Sequence, residues 1–173
     1  MKAKTRAPAG PLRIFEGTQV ATFLDRPNRF VVRCKLRERT VSAFLPNPGR
    51  LRELLLPGRS LYLVSEGDHP TRKTRYTAVA VDRGGFPIVL HTHRTNDVAR
   101  RLIEVGLVPG LEGARVEKAE VKVGGSRFDF LLSHKGADVL LEVKSCTLAG
   151  KRVAMFPDAV TERGARHVQE LAE

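Results

Sequence analysis

Residues 127–144, RFDFLLSHKGADVLLEVK, alternate apolar and polar positions in a way that predicts one β-hairpin. Phe128, Phe130 and Leu132 alternate with Arg127, Asp129 and Leu131, and polar Ser133-His134-Lys135-Gly136 interrupts before the apolar run 139–143. A two-residue turn at Lys135-Gly136, with Gly136 at the positive φ such turns need, sets Phe128 against Val143, Phe130 against Leu141 and Leu132 against Val139. One face is then wholly apolar and can pack on a helix. The other face places Asp129 directly opposite Glu142 and Lys144 opposite Arg127. A slip of one residue would break the apolar face and send the two carboxylates to opposite sides, so burial favours this register.

The first half of the chain alternates in shorter pieces. Segments 14–23, 29–35, 40–45, 60–64 and 76–81 read as strands, separated by Asp25-Arg26-Pro27-Asn28, Pro46-Asn47-Pro48-Gly49 and Gly67-Asp68-His69-Pro70. With one short helix over 50–55, five strands match the outline of an OB-fold barrel. In the second half Asn96 is expected to cap a helix over 97–105, with Val98, Leu102 and Val105 inward and Gly106 ending it. Strands over 115–123, 127–133 and 139–147 follow, then a helix over 159–173 capped by Asp158. The chain shows no internal repeat and no low-complexity tract.

Charge divides the chain at the same place. Residues 1–84 hold 17 Lys and Arg against 7 Asp and Glu, whereas 85–173 hold 13 against 12, so nearly all of the net +11 lies in the first half. A basic module beside a neutral one with an acidic cluster fits a nucleic-acid grip joined to a chemical or reading head, and gives domains 1–84 and 85–173. An Arg-rich proteome bias is the alternative, since Arg outnumbers Lys by 21 to 9. At 173 residues and 42% hydrophobic content the chain can bury a core as one or two small domains. No apolar run approaches a membrane span, and the start MKAKTRAPAGPLR lacks the apolar core of a signal peptide, so a soluble, cytoplasmic protein is expected. Cys34 and Cys146 lack metal-ligand spacing and read as free thiols of a reducing compartment.

Two carboxylates about 5 Å apart at an effective dielectric of about 20 repel by about 3 kcal/mol, which calls for a cation at the hairpin. Lys144 and Arg127 could supply it; so could a hard divalent ion that prefers oxygen ligands, which points to Mg²⁺ over Zn²⁺. A solvated strand face with cross-strand ion pairs remains the plainer reading. In the first half Arg33, Lys35 and Arg37 recur at odd positions and should project from one sheet face as a phosphate track, with Arg72, Lys73 and Arg75 adding a basic loop and Arg50 a further positive charge in PNPGR. A solvated barrel face is the alternative. With no Trp and two Tyr, base stacking is expected to matter less than backbone charge. His91-Thr92-His93 lacks further ligands at useful spacing and argues against zinc. Alternation turns Cys146 to the face of Lys144, where a catalytic thiol is conceivable, but it reads first as a small packed residue.

Asp129, then Glu142-Val143-Lys144 after twelve intervening residues, resembles the PD-(D/E)xK nuclease signature. The longer strings SRFDFLL, LLEVKSCTL and FPDAVTERGARHVQEL, with DHPTRKTRYT and FLPNPGRLRELLLPG in the first half, are similar to segments that mark the sugar fermentation stimulation protein family, over about residues 12–171. The resemblance implies a mixed α+β protein: an N-terminal OB-fold-like five-stranded β-barrel, then a restriction-endonuclease-like αβββα domain whose last strand, present in relatives, is missing here. It implies metal ligation by Asp129, Glu142 and the Val143 carbonyl, with Mg²⁺ or Mn²⁺ as cofactor and Lys144 acting on the attacking water. Glu104 matches a position from which such nucleases reach the metal with an added acid, though a helix-surface Glu fits as well. Thr161, Arg163 and His167 fall on the final helix, and positions 163 and 167 share a face that could meet the scissile phosphate or simply water. With Arg127 beside the acids, the expected partner is nucleic acid, DNA ahead of RNA; no membrane partner is expected, and a homodimer stays open. Two functions remain: a metal-dependent nuclease, or a non-catalytic DNA-binding regulator of sugar (maltose-type) metabolism on a nuclease scaffold.

Overall fold

The structure, a computed structural model, describes residues 14–67, 70–147, 153 and 162–172, with 163, 164, 167, 171 and 172 described as backbone only. The chain forms two compact units, one built on Phe15–Arg94 and the other on Thr95–Lys144 with the last helix.

The first unit is a barrel of β1 (Gln19–Asn28), β2 (Val31–Leu36), β3 (Arg39–Phe44), β4 (Ser60–Ser65) and β5 (Tyr76–Arg83), extended by β6 (Phe86–Val89). The sheet runs β3-β2-β1-β4-β5-β6, and a parallel pairing of β3 with β5 closes it at Ala43 with Tyr76 and Phe44 with Thr77. Period-2 alternation turns Val32, Cys34, Ala43, Leu45, Leu61, Leu63, Ala78 and Val81 inward, and each is fully buried. These inward side chains are Val, Leu, Ala and one Cys, and the buried Thr77 of β5 satisfies its hydroxyl by donating to Glu66 and accepting from Arg72.

Three sequence expectations fail in this unit, each for a local reason. Asp25-Arg26-Pro27-Asn28 is not a break but the second half of β1: the register with β2 shifts between Phe23 and Asp25 and again before Asn28, and such bulges interrupt the alternation by which a strand is read. Pro27 is tolerated because β1 pairs with β4 only up to Thr22. The helix expected over 50–55 is a single turn, with Leu55 N–H donating to the Leu51 carbonyl at 2.8 Å; Leu51 itself sits at a φ of 53°, in the left-handed region that a right-handed helix does not admit. Gly84 and Gly85, where charge divides the sequence, are the turn of the β5–β6 hairpin, both at positive φ. A boundary there would cut the hairpin in two, and the first unit continues to Arg94. The edge position of β6 accommodates Pro87.

The second unit has the element order α1 (Thr95–Glu104), β7 (Arg115–Val123), β8 (Ser126–His134), β9 (Ala137–Leu141) and α2 (Glu162–Ala172), with an antiparallel sheet β7-β8-β9. The order matches the expected αβββα, and β7 has the expected bounds. The β8–β9 register is also the expected one, with Phe130 against Leu141 and Leu132 against Val139, and Lys135 joins Gly136 at positive φ in the turn. Phe128, Phe130 and Leu132 are buried, and Ala99 and Ile103 of α1 pack against the last two. Arg100 lies with its guanidinium 5.4 Å from the Phe130 ring centroid. Helix α1 ends as expected at Gly106, whose N–H donates to the Ile103 carbonyl while Leu107 N–H donates to that of Leu102. Its start differs: it begins at Thr95, so Asn96 lies inside the first turn and its side chain is available for another use. Asp158, the expected cap of the last helix, lies outside the described residues. Among the described residues no helix is long and apolar enough to cross a membrane.

Candidate metal centre

The candidate centre sits where β9 stops. One position beyond the Phe130–Leu141 pair, the hairpin register would set Asp129 against Glu142, but the ladder ends at Leu141 instead of running to residue 147 as expected. The Asp129 carboxylate accounts for the difference. Its Oδ2 accepts the Val143 N–H at 2.7 Å, so the chain leaves the ladder to serve a side chain. Its Oδ1 accepts from Asn96 Nδ2, also at 2.7 Å, in the first turn of α1. Both oxygens therefore have a donor, one from the first turn of α1 and one from the main chain just past β9, which sets the plane of the carboxylate and leaves each a second lone pair.

Glu142 is 9% exposed along its side chain, and its Oε1 contacts the Lys144 ammonium, itself 40% exposed. An ammonium here relieves the repulsion that two neighbouring carboxylates would otherwise feel. Of the two cations the sequence offers, Lys144 takes this role. Arg127 does not: it faces Lys122 of β7 in the ladder and donates to Glu120 at 3.1 Å on an exposed surface.

A hard divalent cation fits this donor set. Asp129, Glu142 and the Val143 carbonyl are all oxygen donors, and Mg²⁺ needs only one or two carboxylates because it keeps several waters. Among the described residues no three His, Cys, Asp or Glu side chains gather, so the candidate centre offers two carboxylates and a main-chain carbonyl. Glu104 is exposed and pairs with Arg101 at 3.5 Å, as a helix-surface Glu would. Thr161 lies outside the described residues, as do the side chains of Arg163 and His167.

Asn96 is the residue whose role the sequence conceals. It reads as a cap, and instead it orients Asp129. With the helix started at Thr95, Asn96, Ala99, Arg100 and Ile103 fall on one face by the 3.6-residue period, and that is the signal available in the sequence.

The basic residues of the barrel do not form the uniform track expected. Arg33 faces Asp25 across the β1–β2 ladder and donates from Nε to Oδ1 at 2.8 Å and from Nη2 to Oδ2 at 2.6 Å. The bidentate contact holds the Asp25 carboxyl below its usual pKa and raises that of Arg33, so this charge is already matched. Lys35 lies 3.8 Å from Glu38. Arg37 is past the end of β2, at a φ of 54° in the turn, so it leaves the face of Arg33 and Lys35. Arg72 donates to Thr77 Oγ1 at 2.8 Å and pairs with Glu66 at 3.5 Å, while Lys73, Arg75 and Arg50 are exposed residues.

Arg26 reads in the sequence as part of a turn and has a larger part in the structure. Its guanidinium donates to the carbonyls of Gly49 at 2.6 Å, Arg50 at 2.8 Å, Arg29 at 2.6 Å and Asn47 at 3.0 Å. It thereby ties the PNPGR loop to the β1–β2 turn. Thr92 holds the same loop from its other side, donating from N–H and Oγ1 to the Pro46 carbonyl. Cys34 and Cys146 form no disulfide; Cys34 is buried in the barrel, which pushes its thiol up to about 12 and makes it inert. His91 and His93 touch ring to ring at 5.7 Å, and burial, then His93, lowers the His91 pKa.

Comparison with known proteins matches both units. Residues 24–90 match the SfsA N-terminal OB domain, and residues 93–173 match the sugar fermentation stimulation protein RE domain. A sugar fermentation stimulation protein homolog of Shouchella clausii is 47% identical over 152 residues, covering 86% of this chain and 65% of the relative. That of Methanothermobacter thermautotrophicus is 40% identical over 158 residues, covering 91% and 65%. The chain thus spans about two thirds of the length of these relatives. Among solved structures, Pyrococcus furiosus SfsA in complex with Ca²⁺ is similar with a TM-score of 0.75 at 35% identity, covering 94% of this chain and 69% of that one. With both units matched and similarity of this extent, the chain belongs to the sugar fermentation stimulation protein family.

Proposed function

We propose that this protein binds nucleic acid, DNA ahead of RNA, through its barrel and cleaves phosphodiester bonds at Asp129, Glu142 and Lys144 with Mg²⁺ or Mn²⁺. The observation that carries the reading is the support built around Asp129, an acid oriented by Asn96 and the Val143 N–H beside a largely buried Glu142. A strand-face acid that served only solubility would need no such fixing. A pure binder would gain nothing from two carboxylates turned toward a polyanion. The similar P. furiosus SfsA is in complex with Ca²⁺, a hard cation with the same taste for oxygen.

Asp129, Glu142 and the Val143 carbonyl would hold the metal. Bound there, a divalent ion lowers the pKa of a water and stabilises charge on the phosphoryl oxygens. Lys144, an ammonium exposed at the edge of the site, orients that water and stabilises the hydroxide it becomes, and the water's proton passes to solvent. The water oxygen forms the new bond to phosphorus, the opposite P–O bond to the sugar breaks, and the departing oxygen takes up a proton. Asn96 and the Val143 N–H keep Asp129 in one rotamer through the step.

A second reading has its own observation. Lys144 already contacts Glu142, and no third acid joins them among the described residues, which suits a DNA-binding regulator that retains a nuclease scaffold without turnover.

Labelled single- and double-stranded DNA and RNA, incubated with Mg²⁺, Mn²⁺ or chelator, separate the two readings. Metal-dependent cleavage that disappears in Asp129→Ala is expected. Binding without cleavage of any substrate, unchanged in Asp129→Ala, would leave the regulator.

A further inference from the structure

The barrel carries an aromatic surface that neither reading uses. Phe30, in the turn between β1 and β2, stacks on Phe44 at the end of β3 with ring centroids 6.4 Å apart and planes 27° apart. Phe30 is 46% exposed, and the Arg29 guanidinium lies 6.0 Å from its ring centroid. The turn is not free to fold this ring away. Phe30 N–H donates to Asn28 Oδ1 at 2.9 Å, its carbonyl accepts the Leu45 N–H at 2.8 Å, and the Arg29 carbonyl is held by Arg26.

Its location in the barrel indicates what would use it. Phe44 faces Val31 across the β2–β3 ladder, and Val31, Arg33 and Lys35 alternate with the buried Val32, Cys34 and Leu36, so these side chains share the outer surface. In five-stranded barrels of this type, the face of the second and third strands, with the first and fourth loops, receives oligonucleotides. The first loop here is Arg29-Phe30. The fourth carries Arg72, Lys73 and Arg75 and enters β5 beside β3, where Tyr76 pairs with Ala43. Residues 15–94 hold 14 Lys and Arg against 7 Asp and Glu, a surplus that suits a polyanion better than an apolar peptide.

We infer that Phe30 and Phe44 form a stacking site for an unpaired base, so that the barrel prefers single-stranded nucleic acid to duplex. The inference deepens the nucleic-acid reading and rests on it. In a duplex both faces of each base are covered by its neighbours, and only a splayed base can meet a ring. Phe30 meets the base, Phe44 backs it, and Arg29 adds charge beside the ring.

The full-length chain is titrated, in chelator to prevent cleavage, into labelled strands of about 12 nucleotides, within the span of one such barrel. Single-stranded DNA, single-stranded RNA and the DNA duplex are compared by fluorescence anisotropy for the natural chain, Phe30→Ala and Phe30→Trp. Wild-type protein is expected to bind the single strands more tightly than the duplex. Loss of one base stack weakens binding by about 5- to 150-fold, so Phe30→Ala should lose that factor on both single strands, leave the duplex within about twofold, and be rescued by Phe30→Trp. Equal losses on single strand and duplex, no loss in Phe30→Ala, or failure of Trp to rescue would each overturn the stacking site while leaving nucleic-acid binding in place. No binding of any strand by the wild-type chain would overturn both.

Discussion

Asp25 in the barrel and Asp129 in the three-stranded sheet both look across a hairpin, and their surroundings differ in kind. Asp25 meets Arg33 in a complete, exposed, two-pronged ion pair that asks nothing more of the structure. Asp129 adjoins another acid, and its oxygens are taken by an amide side chain and a main-chain N–H, with an ammonium placed on Glu142. The first arrangement is what a ladder prefers. The second deprives the ladder of its end, since Val143 leaves it to serve Asp129. Burying Glu142 and fixing Asp129 in this way suits the cation site proposed above, whereas the Asp25–Arg33 pair is complete in itself.

The contrast breaks most easily at Phe130, which lies under the acid pair. Truncation to Ala removes a ring packed among Ile103, Leu132 and Leu141, and should cost about 3–5 kcal/mol in urea unfolding. Hydrogen exchange is the local check: amides of β8 and β9 should lose protection while those of β2 and β5 keep theirs. Equal losses in the barrel would mean that the two units do not have separate cores.

Arg26 tests the barrel from the opposite side. Arg26→Ala strips four carbonyls of a charged donor and should lower stability by about 2–3 kcal/mol. Both tyrosines, Tyr62 and Tyr76, belong to the barrel and there is no Trp, so tyrosine fluorescence reads this unit alone. Lys at this position should not restore the loss, because a point charge cannot reach four acceptors spread over two loops. Divalent-ion binding at the Asp129 centre should be unaffected.

These two residues also mark how far the sequence can be read. Phe130 is legible because a Lys-Gly turn and strict alternation fix one register and no other, and the same register carries Asp129 to the end of the ladder, where its carboxylate takes the Val143 N–H. Arg26 is hidden because an extra residue at Leu24 shifts the β1 register and Pro27 follows, so a curved strand reads as a turn. The Gly84-Gly85 hairpin is masked by a change in charge that coincides with it, although charge reports surface and not pairing. Asn96 is ambiguous because an Asn before a helical run is equally good as a cap, and only a contact between elements far apart in sequence, 33 residues here, shows which use it has. Long-range partners of single polar side chains leave no period in the sequence, whereas buried faces do.

The smallest expected effect is the most direct measure of the contrast. Asp25→Asn removes the carboxylate that occupies Arg33 and leaves the guanidinium exposed on the outer face of β2, next to Lys35. If the barrel grips a phosphate backbone, one more free cation should strengthen binding and steepen its salt dependence by about 0.7 in the slope of log affinity against log salt for a single strand. The converse variant, Arg33→Ala, should change the slope little, because in the folded chain that charge is already engaged with Asp25. Affinity measured over a range of salt concentrations gives both slopes. A larger slope change in Arg33→Ala than in Asp25→Asn would mean that Arg33 leaves Asp25 for phosphate on binding, and the exposed pair would then be part of the grip and no longer its decorative counterpart.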